Sequence, residues 1–477
     1  MESSASKCPS LTLGLCFVAM FMAALAGTIA ENVRLALVFM SVLLVVGAMI
    51  VVRSAARRNL GESQTLGVLF FSFAALHAVV GYALAGFSSE AIWIGSRASY
   101  YYAQAFVITS LGLFAGATGY SLMLRGRAPN KVLGVLGGVD DGQALSCCGF
   151  LVIAGSALMV LMYRRLGLAE YLSDPAKWAV MRYVTSDSFG GSARDEWLIN
   201  RAMDLITVAL PLVLFKAVKR RGLVIILVGM IGSLALMLPL RRANPLSVVM
   251  TLFILLGMKK QRVHSLILRV VVVIVIIYAA SQGLFMWAAS GEGSDPHQLL
   301  VTTSSALPEI RDLGWTISLL GNERLNGATF VQAVLPLPSI ASGWSHNNSL
   351  RAVTTRVIGL DQEMTTGGLR LTITGEGYVN AGYMGVVLAG VLWGIFMGWS
   401  EKLLDAARRF EKVHLWHAAA LFFVWISFWL YLAGTQAAAT IKGGILLLLM
   451  IGFLAKRLAP RREIAEGAAY SIATGTF

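Results

Sequence analysis

Five arginines and no lysine stand between Ala289 and Thr374: Arg311, Arg324, Arg351, Arg356 and Arg370. A guanidinium is a planar, permanently charged fork that matches two phosphate oxygens at once, whereas lysine offers only a point charge. Two or three of these side chains converging would clamp a diphosphate. Local ion pairs with Glu309, Asp312, Glu323 and Asp361 are their other use. Arg241 and Arg242 add a pair in the tight turn Leu240-Arg-Arg-Ala-Asn-Pro245. Little loop lifts them away from apolar neighbours, so they need an anionic partner or must snorkel to lipid headgroups. Arg97 precedes Tyr100, Tyr101 and Tyr102, whose rings would anchor at a membrane interface or stack on sugars.

Glu376 is the acid best placed for chemistry. It lies between Gly375 and Gly377, and glycine tolerates unusual backbone angles and close ligand approach. Its carboxylate would accept a proton from a sugar hydroxyl, or serve as a helix N-terminal charge favoured by the dipole. His346, in Trp344-Ser-His-Asn-Asn348, is a second candidate base or an exposed loop residue. His77 falls inside an apolar run and is read as packed or hydrogen-bonded there. No histidine, cysteine and carboxylate spacing suits a metal, and no nucleotide-type glycine loop is present. The adjacent Cys147 and Cys148 are read as small apolar side chains.

The elements that must position these groups are apolar helices. The chain has 477 residues, 57% hydrophobic and 13% charged, against about 25% charged in ordinary globular chains. Runs of about 18 or more apolar residues follow one another, each long enough to cross a bilayer. They lack the period of two that a β-barrel needs. The reading is one all-α polytopic membrane domain over 1–477 with roughly twelve spans. These lie near 11–29, 34–52, 65–86, 98–122, 146–163, 202–218, 222–239, 245–258, 265–287, 380–399, 414–433 and 438–455. The first is taken as a retained helix, since its leading segment has a single basic residue, Lys7.

Basic clusters follow every second span: Arg53, Arg57 and Arg58; Arg125, Arg127 and Lys131; Lys216, Lys219, Arg220 and Arg221; Lys259, Lys260 and Arg262; Lys402, Arg408, Arg409 and Lys412; and Lys456, Arg457, Arg461 and Arg462. Such clusters mark the cytoplasmic side, which puts both termini there. The same rule accounts for most of the net charge of +14, so nucleic acid is not an expected partner. Two larger segments, 163–200 and 289–374, then face outward. Within the second, Glu309 to Leu320 and Ala328 to Leu337 have helical apolar spacing suited to short interfacial helices.

Ala328-Thr-Phe-Val-Gln-Ala-Val-Leu-Pro-Leu-Pro338 is followed, after a polar stretch, by Gly375-Glu-Gly-Tyr-Val-Asn-Ala-Gly382 and the span opening Met384-Gly-Val-Val-Leu-Ala-Gly390. This layout resembles the bacterial oligosaccharide repeat-unit polymerases of the O-antigen polymerase type. It departs at Ser339, where the family pattern has a basic residue. The layout is also similar to that of the O-antigen ligases, whose loop histidine His346 resembles. The resemblance implies a GT-C-like bundle in the bacterial inner membrane, with its large periplasmic loop between spans nine and ten. It implies a metal-independent and cofactor-free glycosyltransferase. The donor would be a glycan on undecaprenyl pyrophosphate, and the acceptor a second lipid-linked repeat unit. A chain-length regulator and a flippase would be its partners in surface polysaccharide synthesis. On this expectation Arg241, Arg242 and Arg311 hold the diphosphate, Glu376 or His346 takes the acceptor proton, and Arg97, Arg324, Arg356 and Arg370 line the site. A ligase-type transferase is the alternative within the same chemistry. A lipid-linked oligosaccharide flippase or transporter is the alternative outside it, disfavoured because the span middles read as dry.

Overall fold

The computed structural model describes residues 33–60, 65–85, 97–126, 141–165, 193–220, 222–238, 309–330 and 371–408, with single positions beyond them. Every element among these is helical: α1 Val33–Leu60, α2 Leu66–Ala85, α3 Ala98–Arg125, α4 Asp141–Arg165, α5 Ala193–Arg220, α6 Leu223–Met237, α7 Glu309–Leu320 and α8 Ile373–Arg408. Five of them (α1, α2, α3, α4 and α8) are long and apolar enough to cross a membrane. The protein is a helical membrane protein. The segments expected to span near 11–29, 265–287 and 438–455 lie outside the described residues, as do most of those near 245–258 and 414–433.

Two helix groups each enclose a core. In one, α1, α2, α3, α7 and α8 pack together; in the other, α4, α5 and α6 do. The second group buries the free thiols of Cys147 and Cys148 among apolar side chains. α5 carries Pro211 in its interior, where the missing N–H removes one helical hydrogen bond.

The most extensive helix pair among the described residues is α3 with α8. Its cause is a seam of glycines. α8 carries Gly390, Gly394 and Gly398 at every fourth position, and α3 carries Gly112, Gly116 and Gly119. Residues four apart share a helix face, so glycine there leaves a smooth groove in which two backbones can approach. A β-carbon built on Gly390 would stand 2.6 Å from the Gly112 carbonyl oxygen. One on Gly394 would collide with the Gly116 carbonyl, and one on Gly119 with that of Val391. Gly112 lies beside Gly390 and Gly116 beside Gly394, so the two helices run parallel along this seam.

At the end where α3 stops, the adjacent residues Glu401 and Lys402 of α8 cap two helices of opposite polarity. The Gly67 amide, in the first turn of α2, donates to Glu401 Oε2 at 2.5 Å. Lys402 Nζ donates to the Gly126 carbonyl just past α3. An anion at a helix N-terminus and a cation at a C-terminus both offset the helix dipole. Thr65 adds a side-chain cap, accepting from the Val68 amide at 3.3 Å, and its hydroxyl meets Tyr120 Oη at 3.1 Å. Lys402, counted by sequence in a basic cluster marking the cytoplasmic side, is only 6% exposed.

α7 covers the residues read as a short interfacial helix, with the same ends, but most of it is buried against α3 and α2. Tyr102 Oη accepts from Trp315 Nε1 at 3.1 Å. Of the second expected helix, only 328–330 are described, and they are helical.

Replacing Gly394 by leucine should force α3 and α8 apart and cost roughly 1–3 kcal/mol or more. Thermal unfolding of the purified protein in detergent should show this as a clear drop in midpoint, while Gly149→Ala, which faces open space, should leave it unchanged.

Candidate functional site

α8 is two helical arms. Ala381 (φ −145°, ψ 24°) and Gly382 (φ 60°, ψ −150°) interrupt it, and the positive φ at 382 suits glycine alone. The short arm, 373–380, folds back against the start of the long arm, 383–408. Gly377 and Gly385 meet back to back there, each so close that a β-carbon on one would strike the other's carbonyl. The short arm begins level with the middle of α3, since a β-carbon on Gly112 would strike the Thr374 side chain. It then rises toward Gln104, whose Nε2 donates to Tyr378 Oη at 3.2 Å.

Both ends of the short arm are capped. At its start Thr372 Oγ1 accepts from the Gly375 amide at 3.0 Å. At its end the Val379 and Asn380 carbonyls, which an isolated helix would leave unpaired, accept from the Leu325 and Asn326 amides, both at 3.1 Å. The turn after α7 presents those two amides because Asn326 (φ 48°) and Gly327 (φ 82°) adopt left-handed backbone. That conformation is one asparagine and glycine tolerate. Arg324 sits on the same turn. Its Nη1 donates to the Glu323 carbonyl at 2.8 Å and to the Gly321 carbonyl at 3.3 Å. Its guanidinium lies over the Tyr378 ring, 4.8 Å from the centroid, beside the break at Gly382.

Glu376 is fully buried within this arm. An isolated carboxylate in an apolar interior is costly, so its partners define the site. Thr329 Oγ1 donates to Glu376 Oε1 at 2.5 Å. Asn380, one helical turn on, donates from Nδ2 to Thr329 Oγ1 at 2.8 Å and to the Glu376 carbonyl at 2.9 Å. The polarity of this chain is fixed from one end. A backbone carbonyl can only accept, so the atom of Asn380 facing it must be the nitrogen. Thr329 therefore accepts from Asn380 and gives its own proton to Glu376. Gly434 (φ 52°) passes so near the carboxylate that a β-carbon would collide with it. The Asn380 Oδ1 atom is buried with no hydrogen-bond partner.

Beside the break lies a cavity of about 490 Å³. Asn380, Ala381 and Gly385 line it at the reversal, and Leu388, Leu392, Trp393 and Phe396 continue it down the long arm. Phe330, Ile373 and Leu430 close other sides.

The four sequence-predicted residues among those described have different fates. Glu376 and Arg324 are brought onto two elements joined by backbone hydrogen bonds. Arg311 is held by its neighbours: Nε and Nη2 reach Asp312 Oδ1 at 3.0 and 2.9 Å, and the guanidinium stacks on Trp315 at 4.5 Å. That is the local ion pair which the sequence offered as the other use of these arginines. Arg97 is exposed at the start of α3. His346, Arg241, Arg242, Arg351, Arg356 and Arg370 lie outside the described residues. Among the described residues no cluster of three metal-ligating side chains occurs.

Sequence reasoning missed Thr329 and the buried contact between His77 and Glu309. His77 Nε2 lies 3.0 Å from Glu309 Oε2, with both side chains under a tenth exposed. Glu309 opens α7 and His77 is central in α2, so a charge read as belonging to an outer segment is inside the bundle. The interior is not dry here. Tyr431 Oη adds a long contact to the neighbouring Ala74 carbonyl at 3.4 Å. The spacing of Glu376 and Asn380 was readable as one helix face; the contacts of Thr329 and Glu309 join residues far apart in sequence, with no local signal.

Thr329→Val should leave two buried polar groups short of a partner and lower stability by about 1–3 kcal/mol, whereas Thr329→Ser should retain most of it. For the His77–Glu309 contact, His77→Leu should cost about 1–3 kcal/mol by leaving the buried Glu309 carboxyl short of a partner, and adding Glu309→Leu should recover part of the loss. Unfolding midpoints of the single and double variants check both.

Comparison of this chain with protein-family models, with curated proteins and with solved structures gives no match.

Proposed function

We propose that the chain is an inner-membrane glycosyltransferase. It joins oligosaccharide repeat units carried on undecaprenyl pyrophosphate into a surface polysaccharide, in a GT-C-like bundle of about twelve spans whose site faces the periplasm. The observation that carries this reading is Glu376. A fully buried carboxylate on a folded-back helical arm, fixed by Thr329 and Asn380, is an ionisable group that an apolar bundle does not retain for packing. It stands in the Gly375 to Gly382 stretch on which the resemblance to repeat-unit polymerases rests. Arg324, on the turn that caps the same arm, supplies a guanidinium close by. The parallel course of α3 and α8 is what two spans crossing in the same direction require.

In this reading the acceptor sugar hydroxyl gives its proton to Glu376 as its oxygen bonds to the donor's anomeric carbon. The bond from that carbon to the lipid diphosphate breaks, and the diphosphate leaves with the electron pair. Arginines receive the developing charge, a role electrostatics can fill without a metal. Among the described residues Arg324 is the nearest candidate; Arg241, Arg242, Arg356 and Arg370, expected to join it, lie outside them. Arg311 reaches a diphosphate only by exchanging Asp312 for it.

A second reading, a transporter of lipid-linked glycans, is favoured by the same break. Interrupted helices and buried ionisable residues such as His77 and Glu309 also mark substrate paths through membrane bundles. The two part on chemistry. With purified protein and a lipid-linked repeat unit, a transferase lengthens the glycan; a transporter moves it across a vesicle membrane without a new glycosidic bond.

Glu376→Gln should lower glycan elongation by about 10²–10⁴-fold with protein level unchanged, and Arg324→Lys should lower it by a smaller factor. Gel analysis of chain length in a complemented deletion strain reads both. Normal chains from Glu376→Gln would dismiss this acid as the base. In the deletion strain itself, single repeat units should accumulate on lipid; accumulation of long lipid-linked chains would indicate a ligase instead.

A further inference from the structure

Arg311 and Arg324 use different edges of the guanidinium. Arg311 spends its Nε–Nη2 edge on Asp312. Arg324 hydrogen-bonds through Nη1, to the backbone carbonyls of Glu323 and Gly321. Its Nε–Nη2 edge has no acceptor among the described residues, and neither of its hydrogen bonds goes to a carboxylate. That edge is the one that grips two oxygens of an anion side by side. Glycine at 382 leaves it uncovered, since a β-carbon there would already stand 3.6 Å from Nε. Stacking on Tyr378, itself buried, holds the guanidinium in place.

The groups around this edge are amphipathic. Tyr378 meets Tyr383 edge to face, with ring centroids 5.4 Å apart. Gln104 of α3 donates to the Tyr378 hydroxyl at 3.2 Å and reaches that of Tyr383 as well. Tyr100, one turn earlier on α3, and Arg324 both lie within electrostatic reach of the Tyr383 hydroxyl. Tyr102 of the same tyrosine run is buried and bonded to Trp315, but Tyr100 stays 42% exposed and Tyr383 is 49% exposed. Asn322, Glu323 and Asn326 are exposed on the turn that carries Arg324. A guanidinium with an open edge is costly in hydrocarbon, so this end of the bundle meets water or headgroups. Tyrosines at such a boundary also anchor proteins in membranes. Anchoring requires neither a glutamine linking two of their hydroxyls nor a cation with its binding edge open.

We infer that this cluster is a subsite for an anionic sugar: a pyranose ring packs on Tyr383, with Tyr100 beside it, and its phosphate or carboxylate is held by the Nε–Nη2 edge of Arg324. A pyranose carries apolar C–H groups on its faces and hydroxyls at its rim. An exposed tyrosine ring flanked by an amide and phenol hydroxyls complements both. The inference rests on the glycan reading above and places one sugar of that substrate. A phosphate belongs to the sugar next to the lipid diphosphate, a carboxylate to an acidic residue within the glycan.

The test is saturation-transfer NMR on the full-length protein in nanodiscs. The probes are glucose, galactose and mannose, their 1-phosphates, glucuronic and galacturonic acid, and inorganic phosphate as competitor. At least one anionic sugar should bind, with saturation concentrated on ring C–H protons, roughly 10- to 100-fold tighter than its neutral hexose, the worth of a hydrogen bond to a charged group. Preference for the 1-phosphates identifies the lipid-proximal sugar, and preference for the uronic acids an acidic residue of the glycan; either bears the inference out. Tyr383→Leu should weaken binding roughly three- to tenfold, and Tyr383→Phe should retain most of it. Arg324→Gln should abolish the advantage of the anionic probes. Unfolding midpoints confirm that these variants are folded. The inference is overturned if no probe binds, if anionic sugars bind no better than hexoses, if inorganic phosphate competes as well as the sugar phosphates, or if a folded Tyr383→Leu protein binds as before. Elongation is measured separately. A protein that binds these probes without elongating glycans keeps the subsite and loses the transferase reading; one that elongates and binds none loses the subsite alone.

Discussion

Backbone contact between α3 and α8 sets the rest of this structure. Without β-carbons at Gly112, Gly116 and Gly119 on one side and Gly390 and Gly394 on the other, the two helices approach until carbonyls touch the facing chain. In a bilayer, lipid tails are as apolar as leucine, so burial in a helix interface gains little over exposure to lipid. Close packing decides which helices associate. The seam fixes the long arm of α8 in rotation and depth. Everything at the candidate site hangs from that arm.

A second glycine contact transmits the constraint. Gly377 and Gly385 let the short arm lie directly against the start of the long one, and Gly382 supplies the left-handed turn between them. The result is a carboxylate placed well inside the bundle by backbone geometry rather than by a loop. At the opposite end Glu401 and Lys402 tie α8 to the termini of α2 and α3 through helix-dipole contacts. The same helix is thus anchored by packing along its length and by charge at its end. A buried carboxyl group whose partners are single, specific hydrogen bonds benefits from both.

The polar interior is organised in two separate devices. One is the chain from Asn380 through Thr329 to Glu376, in which every step has a defined donor. The other is the His77–Glu309 pair, which pins α7 against α2. Buried pairs of this kind add little net stability over apolar packing, yet their loss is costly. They therefore select one arrangement of helices over others. α7 also buries Ile310, Leu313 and Ile317 in the core it shares with α3, and its turn is then in place to cap the short arm and present Arg324.

Hydrophobic run length alone identified the helices, because a backbone in hydrocarbon must pair its own hydrogen bonds and a helix does so within the segment. The expected spans near 34–52, 98–122 and 146–163 each fall within a described helix, the one near 65–86 takes in α2, and Glu309–Leu320 matched its amphipathic reading. Glu376 stood out in the sequence from its glycine neighbours. What the sequence left undetermined was depth. A span read as starting near residue 380 is instead the second arm of a helix that has already entered the bundle at 373, and only the contact of Gly377 with Gly385 reveals the reversal. Likewise Arg311 and Arg324 are alike as letters, yet one is closed by Asp312 and Trp315 while the other reaches the break. Pairing between residues tens or hundreds of positions apart, such as Thr329 with Glu376 or His77 with Glu309, leaves no periodic trace in a chain. Those contacts exist only once the helices have packed.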